Sequence, residues 1–133
     1  MKRSFTALGE TEMELLQHVW EMKHATVAEV HQRVLQTRPV AYTTIMSILK
    51  KLADKGLLGY EQEGSAYVYF ALKPAEQVRA NVLRDVLNKV FSGSPMALVQ
   101  TLVAQEHFDE TQLAEIRQLI EAMGDTQEES NMS

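Results

Sequence analysis

Residues 41–56 read AYTTIMSILKKLADKG, which is the pattern of one amphipathic helix with a glycine at its end. An α-helix turns by about 100° per residue, so Ile45 and Leu49 fall on one face and Thr43 and Ser47 on the opposite face. The final glycine is typical of the position just after a helix. The sequence therefore predicts a helix over residues 41–55 with one apolar face and one face of small hydroxyl side chains.

Two shorter helices are predicted before this one and a β-hairpin after it. Apolar residues recur at helical spacing over residues 10–22, and Thr26 with Glu29 forms a capping-box pattern that opens a second helix. Residues 57–62 and 66–72 are strand-like and are joined by a Gly-Ser turn. Three helices followed by a hairpin is the order of a winged helix, whose third helix enters the major groove of DNA.

The rest of the chain predicts three amphipathic helices. The first begins at Pro74 and extends to about Phe91, and a shorter one begins at Pro95. The last begins at Asp109, in another capping-box pattern, and ends at Gly124.

These elements predict a mainly α fold with a small β-hairpin. We expect a winged helix-turn-helix DNA-binding domain over residues 1–73, a three-helix C-terminal dimerisation domain over 74–124 and a flexible tail over 125–133. A domain of about 60 residues has only marginal stability alone. A second copy is the commonest partner in soluble oligomers, so we expect it to cover the apolar faces of these helices. The dimerisation candidates are Val82, Val86, Leu102, Leu113, Ile116, Leu119 and Ile120.

The charge is divided unevenly along the chain. The formal net charge is −5, which by itself argues against a basic nucleic-acid binder. Residues 1–73, however, hold nine Lys and Arg against eight Asp and Glu, whereas residues 74–133 hold four against ten. We therefore expect weak non-specific attraction to DNA and a strong dependence of binding on two copies acting together.

The predicted DNA-binding residues lie on and just before the third helix. They are Arg38, Tyr42, Thr43, Thr44, Met46, Ser47, Lys50 and Lys51. Hydroxyl groups can reach base edges or phosphate oxygens, and lysines pair with phosphates. An arm formed by Lys2 and Arg3 is a further candidate. The alternative interpretation is that these side chains only solvate the exposed face of a core helix.

Several other classes of protein do not fit the sequence. There is no cysteine, no apolar run long enough to span a membrane and no apolar segment of a secretory signal, so we expect a cytoplasmic protein without membrane insertion. Glu14, His18 and Glu21 could suggest a metal site, but a surface pair at this spacing is commoner. No nucleophile motif or phosphate-binding loop is present, and we expect no catalytic residue, no metal and no cofactor.

The sequence resembles the penicillinase-repressor (BlaI/MecI/CopY) family of bacterial transcriptional regulators. The matching segments are residues 8–12, 19–20, 26–30, 41–52, 55–58 and 67–69, within a similarity that covers residues 5–123. The resemblance implies a homodimeric repressor that binds a palindromic double-stranded DNA operator. It also implies that Thr43, Thr44 and Ser47 face DNA.

Three departures from the family pattern limit what the resemblance implies. The β-lactam-responsive members are inactivated by proteolysis at an Asn-Phe bond, and Thr101-Leu102 stands at the corresponding position here. A regulatory protease is thus a candidate partner, but the bond that it would cleave here, Thr101-Leu102, differs from the Asn-Phe bond of the family. The cysteine motif of the copper-responsive members is absent. Glu61 and Glu63 flank the wing tip, where members often have a basic residue, so we expect a weak wing contact or a wing turned away from DNA.

Two other interpretations also fit the sequence. A winged helix that serves only for protein–protein contact would fit the acidic net charge and the acidic wing. A ligand pocket in the dimer core, lined by Met96, Met123 and Phe91, would fit the methionine content, although such residues more often pack a core.

Overall fold

The computed structural model describes residues 8–132 and confirms the mainly α class with a small sheet. Its elements are α1 (Glu10–Met22), β1 (His24–Thr26), α2 (Val27–Leu35), α3 (Tyr42–Asp54), β2 (Leu58–Glu63), β3 (Ala66–Ala71), α4 (Ala75–Val90), α5 (Pro95–Gln105) and α6 (Glu110–Met132). The predicted arm of Lys2 and Arg3 lies outside the described residues.

The sheet contains a third strand that the sequence did not predict. β1 pairs antiparallel with β3, from His24 opposite Phe70 to Thr26 opposite Val68, and the strand order is β1-β3-β2. From the sequence alone, residues 23–25 are predicted to be only a link between helices. Three residues are too few to show an alternating pattern, and their pairing partner lies more than forty residues away.

Capping side chains fix the starts of α2 and α6, as the sequence predicted. The Glu29 N–H donates to Thr26 Oγ1 at 3.2 Å, and the Thr26 N–H donates to Glu29 Oε1 at 2.9 Å. Asp109 and Gln112 form the same reciprocal pair before α6, at 2.8 and 3.0 Å. Each pair satisfies backbone donors that a helix start would otherwise leave unpaired.

The end of α3 is fixed by Gly56, which has a φ of +80°. The Gly56 N–H donates to Ala53 O and the Leu57 N–H donates to Leu52 O, both at 3.0 Å. This is a Schellman arrangement, with buried Leu52 and Leu57 as its apolar pair. It ends α3 sharply and leads the chain directly into β2.

One core holds α1 to α3, the sheet and the start of α4 together. Its buried side chains are Leu15, Leu16, Val19, Ala25, Val27, Val30, Val34, Ile45, Leu49, Leu52, Leu57, Leu58, Tyr69 and Val78. Trp20 packs against this core, and the Arg79 guanidinium carbon lies 5.3 Å from the centre of its ring. The arrangement of three helices, small sheet and hairpin is that of a winged helix.

The chain forms two compact units, one up to Val90 and one from Phe91. The division therefore falls after α4, not before it at residue 74 as the sequence analysis placed the domain boundary. Val78 of α4 is 1% exposed in the winged-helix core, and Val82 packs partly against the same core. An amphipathic pattern shows that a helix has a buried face but not which partner covers it.

The second unit contains α5 and α6. Ser94 caps α5 by accepting from the Ala97 N–H at 3.1 Å, and Pro95 occupies the first turn as predicted. α6 does not end at Gly124 but continues to Met132. A glycine inside a helix costs only about 1 kcal/mol relative to alanine, so one glycine does not end a helix by itself.

Candidate nucleic-acid interface

The exposed side of α3 carries all but one of the predicted DNA-binding residues. We call this surface the α3 face; it consists of Tyr42, Thr43, Thr44, Met46, Ser47, Lys50 and Lys51, all exposed. The opposite side of α3 is fixed in the core by Ile45, Leu49 and Leu52, each 0% exposed. Packing therefore determines which side chains α3 presents to solvent.

A row of three polar side chains runs along the middle of the α3 face. Thr43, Ser47 and Lys50 are spaced by four and three residues, so they stack on one line of the helix. The flanks are Thr44 and Lys51 on one side and Tyr42 and Met46 on the other. Hydroxyls both donate and accept hydrogen bonds, whereas the ammonium only donates, so the row can pair with base edges or with phosphate oxygens.

Arg38, the remaining candidate, lies in the connection between α2 and α3 and is held by α1. Its Nη1 and Nη2 donate to the two carboxylate oxygens of Glu14 at 2.9 and 2.6 Å. The hydrogen bonds from Arg38 hold the pKa of the Glu14 carboxyl below its ordinary value, against a smaller opposing effect of burial. The structure thus gives Arg38 a carboxylate partner that the sequence analysis did not anticipate.

Three further contacts lie at the two ends of α3. His31 Nε2 lies 2.7 Å from the Val40 carbonyl oxygen, and its ring meets the Tyr42 ring edge-on at 5.7 Å. At the other end, Lys55 Nζ lies 2.6 Å from Glu12 Oε2 on α1. The Lys55–Glu12 contact joins residues 43 positions apart, and even the His31–Val40 contact joins residues 9 apart on different elements, so no pattern within one helix signals them.

The hairpin of β2 and β3 has two chemically different faces. Tyr60 pairs with Tyr69 and Gln62 with Tyr67, whereas Glu61 pairs with Val68 and Glu63 with Ala66. Directly paired residues of an antiparallel sheet point to the same face, and neighbours along a strand point to opposite faces. We call the two sides the tyrosine face (Tyr60, Gln62, Tyr67 and Tyr69) and the acidic face (Glu61, Glu63, Ala66 and Val68).

The tyrosine face is built around the buried side chain of Tyr69. Burial raises the pKa of the Tyr69 phenol, and charge interactions with Tyr60 and Tyr67, and with Asp54 and Tyr42 of α3, raise it further. The Tyr60 ring contacts both other rings, with centres 5.2 Å from Tyr67 and 5.8 Å from Tyr69. The sequence showed an aromatic strand but not that its rings share a side with α3.

The suspected metal ligands on α1 are engaged in other contacts. Glu14 binds Arg38, with His18 Nε2 at 3.9 Å from its Oε2, and Glu21 Oε2 lies 2.6 Å from Arg33 Nη2. Among the side chains that the structure describes, which end at residue 125, no three His, Asp or Glu are grouped as metal ligands would be.

The second unit exposes its apolar side chains. Between residues 91 and 125 no described side chain is buried. The exposed large apolar residues of α5 and α6 are Met96, Val99, Leu102, Val103, Leu113, Leu119, Ile120 and Met123. Leu119 and Ile120 are 67% and 66% exposed, so they lie on an uncovered apolar surface and not in a core.

The predicted dimerisation residues do not form one group. Leu102, Leu113, Ile116, Leu119 and Ile120 lie on α5 and α6, whereas Val82 and Val86 lie on α4 in the first unit. The Thr101-Leu102 bond lies inside α5 with both residues exposed. Because a regular helix does not fit a protease cleft, cleavage at this bond would require local unwinding of α5.

None of the helices in residues 8–132 combines the length and the apolar character that crossing a membrane requires.

Comparison with known proteins gives a family-level match. The family model described as "Penicillinase repressor" matches residues 8–122. The chain is 31% identical over 107 residues to the transcriptional regulator BlaI of Mycobacterium tuberculosis, covering 79% of this chain and 78% of that protein. It is 20% identical over 113 residues to the methicillin resistance regulatory protein MecI of Mammaliicoccus sciuri, covering 85% and 92%. The solution structure of the DNA-binding domain of the repressor BlaI matches with a TM-score of 0.49 and 25% identity, covering 56% of this chain and 90% of that one.

Proposed function

The chain belongs to the penicillinase repressor family, and on that basis we propose that it is a homodimer that represses transcription by binding a palindromic operator through α3. Members of this family are DNA-binding transcriptional repressors and not enzymes. The proposal adds to this membership the operator symmetry, the oligomeric state, the contacting residues and a cytoplasmic location.

The observation that carries the proposal is the chemistry of the α3 face. Its central row of Thr43, Ser47 and Lys50 is uncovered, although the helix itself is anchored by three fully buried side chains. A rigid helix with short polar side chains can approach base edges closely in a major groove. The lysines at the end of the helix supply phosphate contacts, which set the register on the duplex.

The second unit supports the homodimer. An exposed apolar surface of this extent on α5 and α6 favours burial against a partner, and a second copy is the commonest partner in soluble oligomers. A symmetric dimer carries two copies of α3, so its preferred DNA is a sequence with matching two-fold symmetry. Two weak half-site contacts made together also compensate for the low positive charge of the first unit.

A selection experiment tests the proposal. The full-length protein is used to enrich sequences from a randomised duplex library, and the enriched duplex is titrated at several salt concentrations. We expect a two-fold symmetric sequence, at least about a thousandfold preference over scrambled DNA, and affinity that falls steeply with salt. If no sequence is enriched, the proposal is wrong and a protein–protein function of the winged helix is favoured.

A substitution on the α3 face gives the matching prediction for one residue. Ser47→Glu should weaken binding to the enriched duplex by at least about a hundredfold, because it places a carboxylate against the DNA without disturbing the core. Gln77→Glu adds the same charge to the exposed side of α4 and is the control, with an expected change below about threefold. Equal effects of the two variants would mean that the α3 face does not contact DNA.

A further inference from the structure

A small cavity opens on the first unit where the end of α1 meets the sheet and the start of α4. Its volume is about 340 Å³, which is at the lower end of the range for pockets that bind small organic molecules. Its lining includes Val19, Trp20 and Lys23 at the end of α1, His24 of β1, Phe70 of β3 and Ala75 of α4. The cavity shares no residue with the α3 face.

The walls of the cavity are largely aromatic. The side chains of Trp20 and Phe70 are half-buried, and Trp20 packs against the core that contains the fully buried Val19. The His24 ring lies against Phe70, with ring centres 6.0 Å apart and planes tilted by 59°. Aromatic walls of this kind hold a planar ring through stacked or edge-on contacts.

The formal charge on the lining is positive. Lys23 contributes to it, and no Asp or Glu of the described residues does. Three other cations of the same unit, Arg33, Arg38 and Lys55, each lie 2.6 Å from a glutamate of α1. The Lys23 ammonium has no such partner within residues 8–125. The α1 dipole places only about half a negative charge at this end of the helix, which the full charge of Lys23 outweighs.

The backbone fixes where the Lys23 side chain begins. Lys23 has a φ of +70° and a ψ of −52°, a region that residues with a side chain rarely adopt. Its N–H donates to the Val19 carbonyl oxygen at 2.7 Å, and β1 starts at the next residue. A second cation lies close by, since the Arg79 guanidinium carbon is 5.3 Å from the centre of the Trp20 ring.

We propose that this cavity binds a small organic anion that consists of an aromatic ring and a carboxylate. The ring lies against Trp20 and Phe70, and the carboxylate pairs with the Lys23 ammonium. A ligand without the ring loses the apolar contact, and a ligand without the carboxylate loses the ion pair. Because the cavity and the α3 face are separate, this binding does not depend on the proposed operator binding.

A titration of the full-length protein with phenylacetate tests the site. Trp20 is the only tryptophan of the chain, so its indole N–H gives a single resonance in a nitrogen-15 correlation spectrum. We expect phenylacetate to shift this resonance with a Kd of about 1 mM or lower. Phenylacetamide, which has the same ring without the charge, should bind about three- to fivefold more weakly. Acetate at the same concentration should leave the resonance unmoved.

A charge substitution tests the role of Lys23. Lys23→Met keeps most of the aliphatic chain, so it should weaken phenylacetate binding by about three- to fivefold and leave phenylacetamide binding within about 1.5-fold of the wild type. Lys50→Met removes the same charge from the α3 face and is the control. It should leave the binding of both compounds unchanged.

A larger side chain tests whether the cavity is the site. Ala75→Leu reduces the volume that a ligand can occupy, so it should weaken the binding of phenylacetate and of phenylacetamide by at least about tenfold. Circular dichroism and thermal melting establish that each variant keeps its fold. Should Ala75→Leu fail to fold, the comparison of Lys23→Met with Lys50→Met decides by itself.

Three outcomes would contradict the proposal. If neither ring compound shifts the Trp20 resonance, the cavity is not a binding site for aromatic molecules. Equal affinities for phenylacetate and phenylacetamide, or a preference for phenylacetate that Lys23→Met retains, would overturn the assignment of an anion held by Lys23. Unchanged binding by folded Ala75→Leu would place the ligand elsewhere.

Discussion

The two units of the chain differ in how far their apolar side chains are buried. The first unit buries its apolar residues in a continuous core that runs from Leu15 to Val78. The second unit carries leucine, isoleucine, valine and methionine at helical spacing on α5 and α6, yet no side chain described between residues 91 and 125 is buried.

This difference shows where stability comes from in each unit. A helix is stabilised mainly by packing of its apolar face, and α1 to α3 obtain that packing from each other and from the sheet. The pair α5 and α6 is too small to enclose a core of its own. The first unit is thus stable through contacts within one chain, and the second is expected to depend on contacts between chains.

The largest expected effect is on the proposed contact between two copies of the chain. Leu119→Asp should weaken the dimer by about a thousandfold, equivalent to about 4 kcal/mol, because each copy brings an unpaired charge into an apolar interface. Sedimentation velocity at micromolar concentration should show a monomer. Gln118→Asp adds the same charge to the other side of α6 and should leave the dimer intact. A dimer of unchanged affinity in Leu119→Asp would show that α6 is not the interface.

The next effect concerns the core within one chain. Leu49→Ala should lower the free energy of unfolding of the first unit by about 3 kcal/mol, because Leu49 is 0% exposed and its loss leaves a cavity beneath α3. Urea unfolding monitored by Trp20 fluorescence measures it. The loss should not vary with protein concentration. A loss that does vary would mean that the first unit also depends on a second copy.

Local signals made most of the first unit predictable from the sequence. The periodicity of α3, the capping box at Thr26 and the Gly-Ser turn each specify structure within a few residues, and the α3 face follows from periodicity alone. β1 and the place of α4 were missed because they depend on partners distant in sequence, Phe70 for β1 and the winged-helix core for Val78.

The same limit applies to the candidate site. The sequence placed the seven residues of the α3 face correctly on one surface but gave no sign that Glu14 holds Arg38. From composition alone, Glu61 and Glu63 made the whole wing look acidic. Composition does not show which face of a hairpin a residue occupies, and the strand pairing places both glutamates on one face. Non-local pairing therefore decided β1, the place of α4, the partner of Arg38 and the two faces of the wing, whereas the end of α6 was missed because one glycine does not end a helix.

A smaller effect is expected on the salt dependence of DNA binding when one positive charge is removed from either unit. Lys50→Ala should reduce the salt slope of DNA binding by about one unit, and it should weaken binding to enriched and scrambled duplexes alike. Arg117→Ala removes the same charge from α6 and should leave the slope unchanged. An equal reduction of the slope in both variants would mean that the second unit also contacts phosphates, and a wild-type slope in both would mean that Lys50 does not.

The smallest effect concerns the ion pair that joins α1 to the connection before α3. Because Arg38 lowers the pKa of Glu14 in the folded protein, the folded state binds fewer protons than the unfolded state in mild acid, and the pair stabilises the fold above the ordinary carboxyl pKa. Glu14→Gln should therefore melt at a lower temperature than the wild type at pH 7. The difference should shrink as the pH falls below about 4.5 and vanish once Glu14 is protonated in the folded state as well. Both side chains are partly exposed, so the shift should be small and should decrease with added salt. Glu121→Gln removes the same charge from α6, and any change common to both variants reflects net charge only. A difference between Glu14→Gln and the wild type that persists unchanged at pH 3 would mean that the charge of Glu14 is not what stabilises the contact with Arg38.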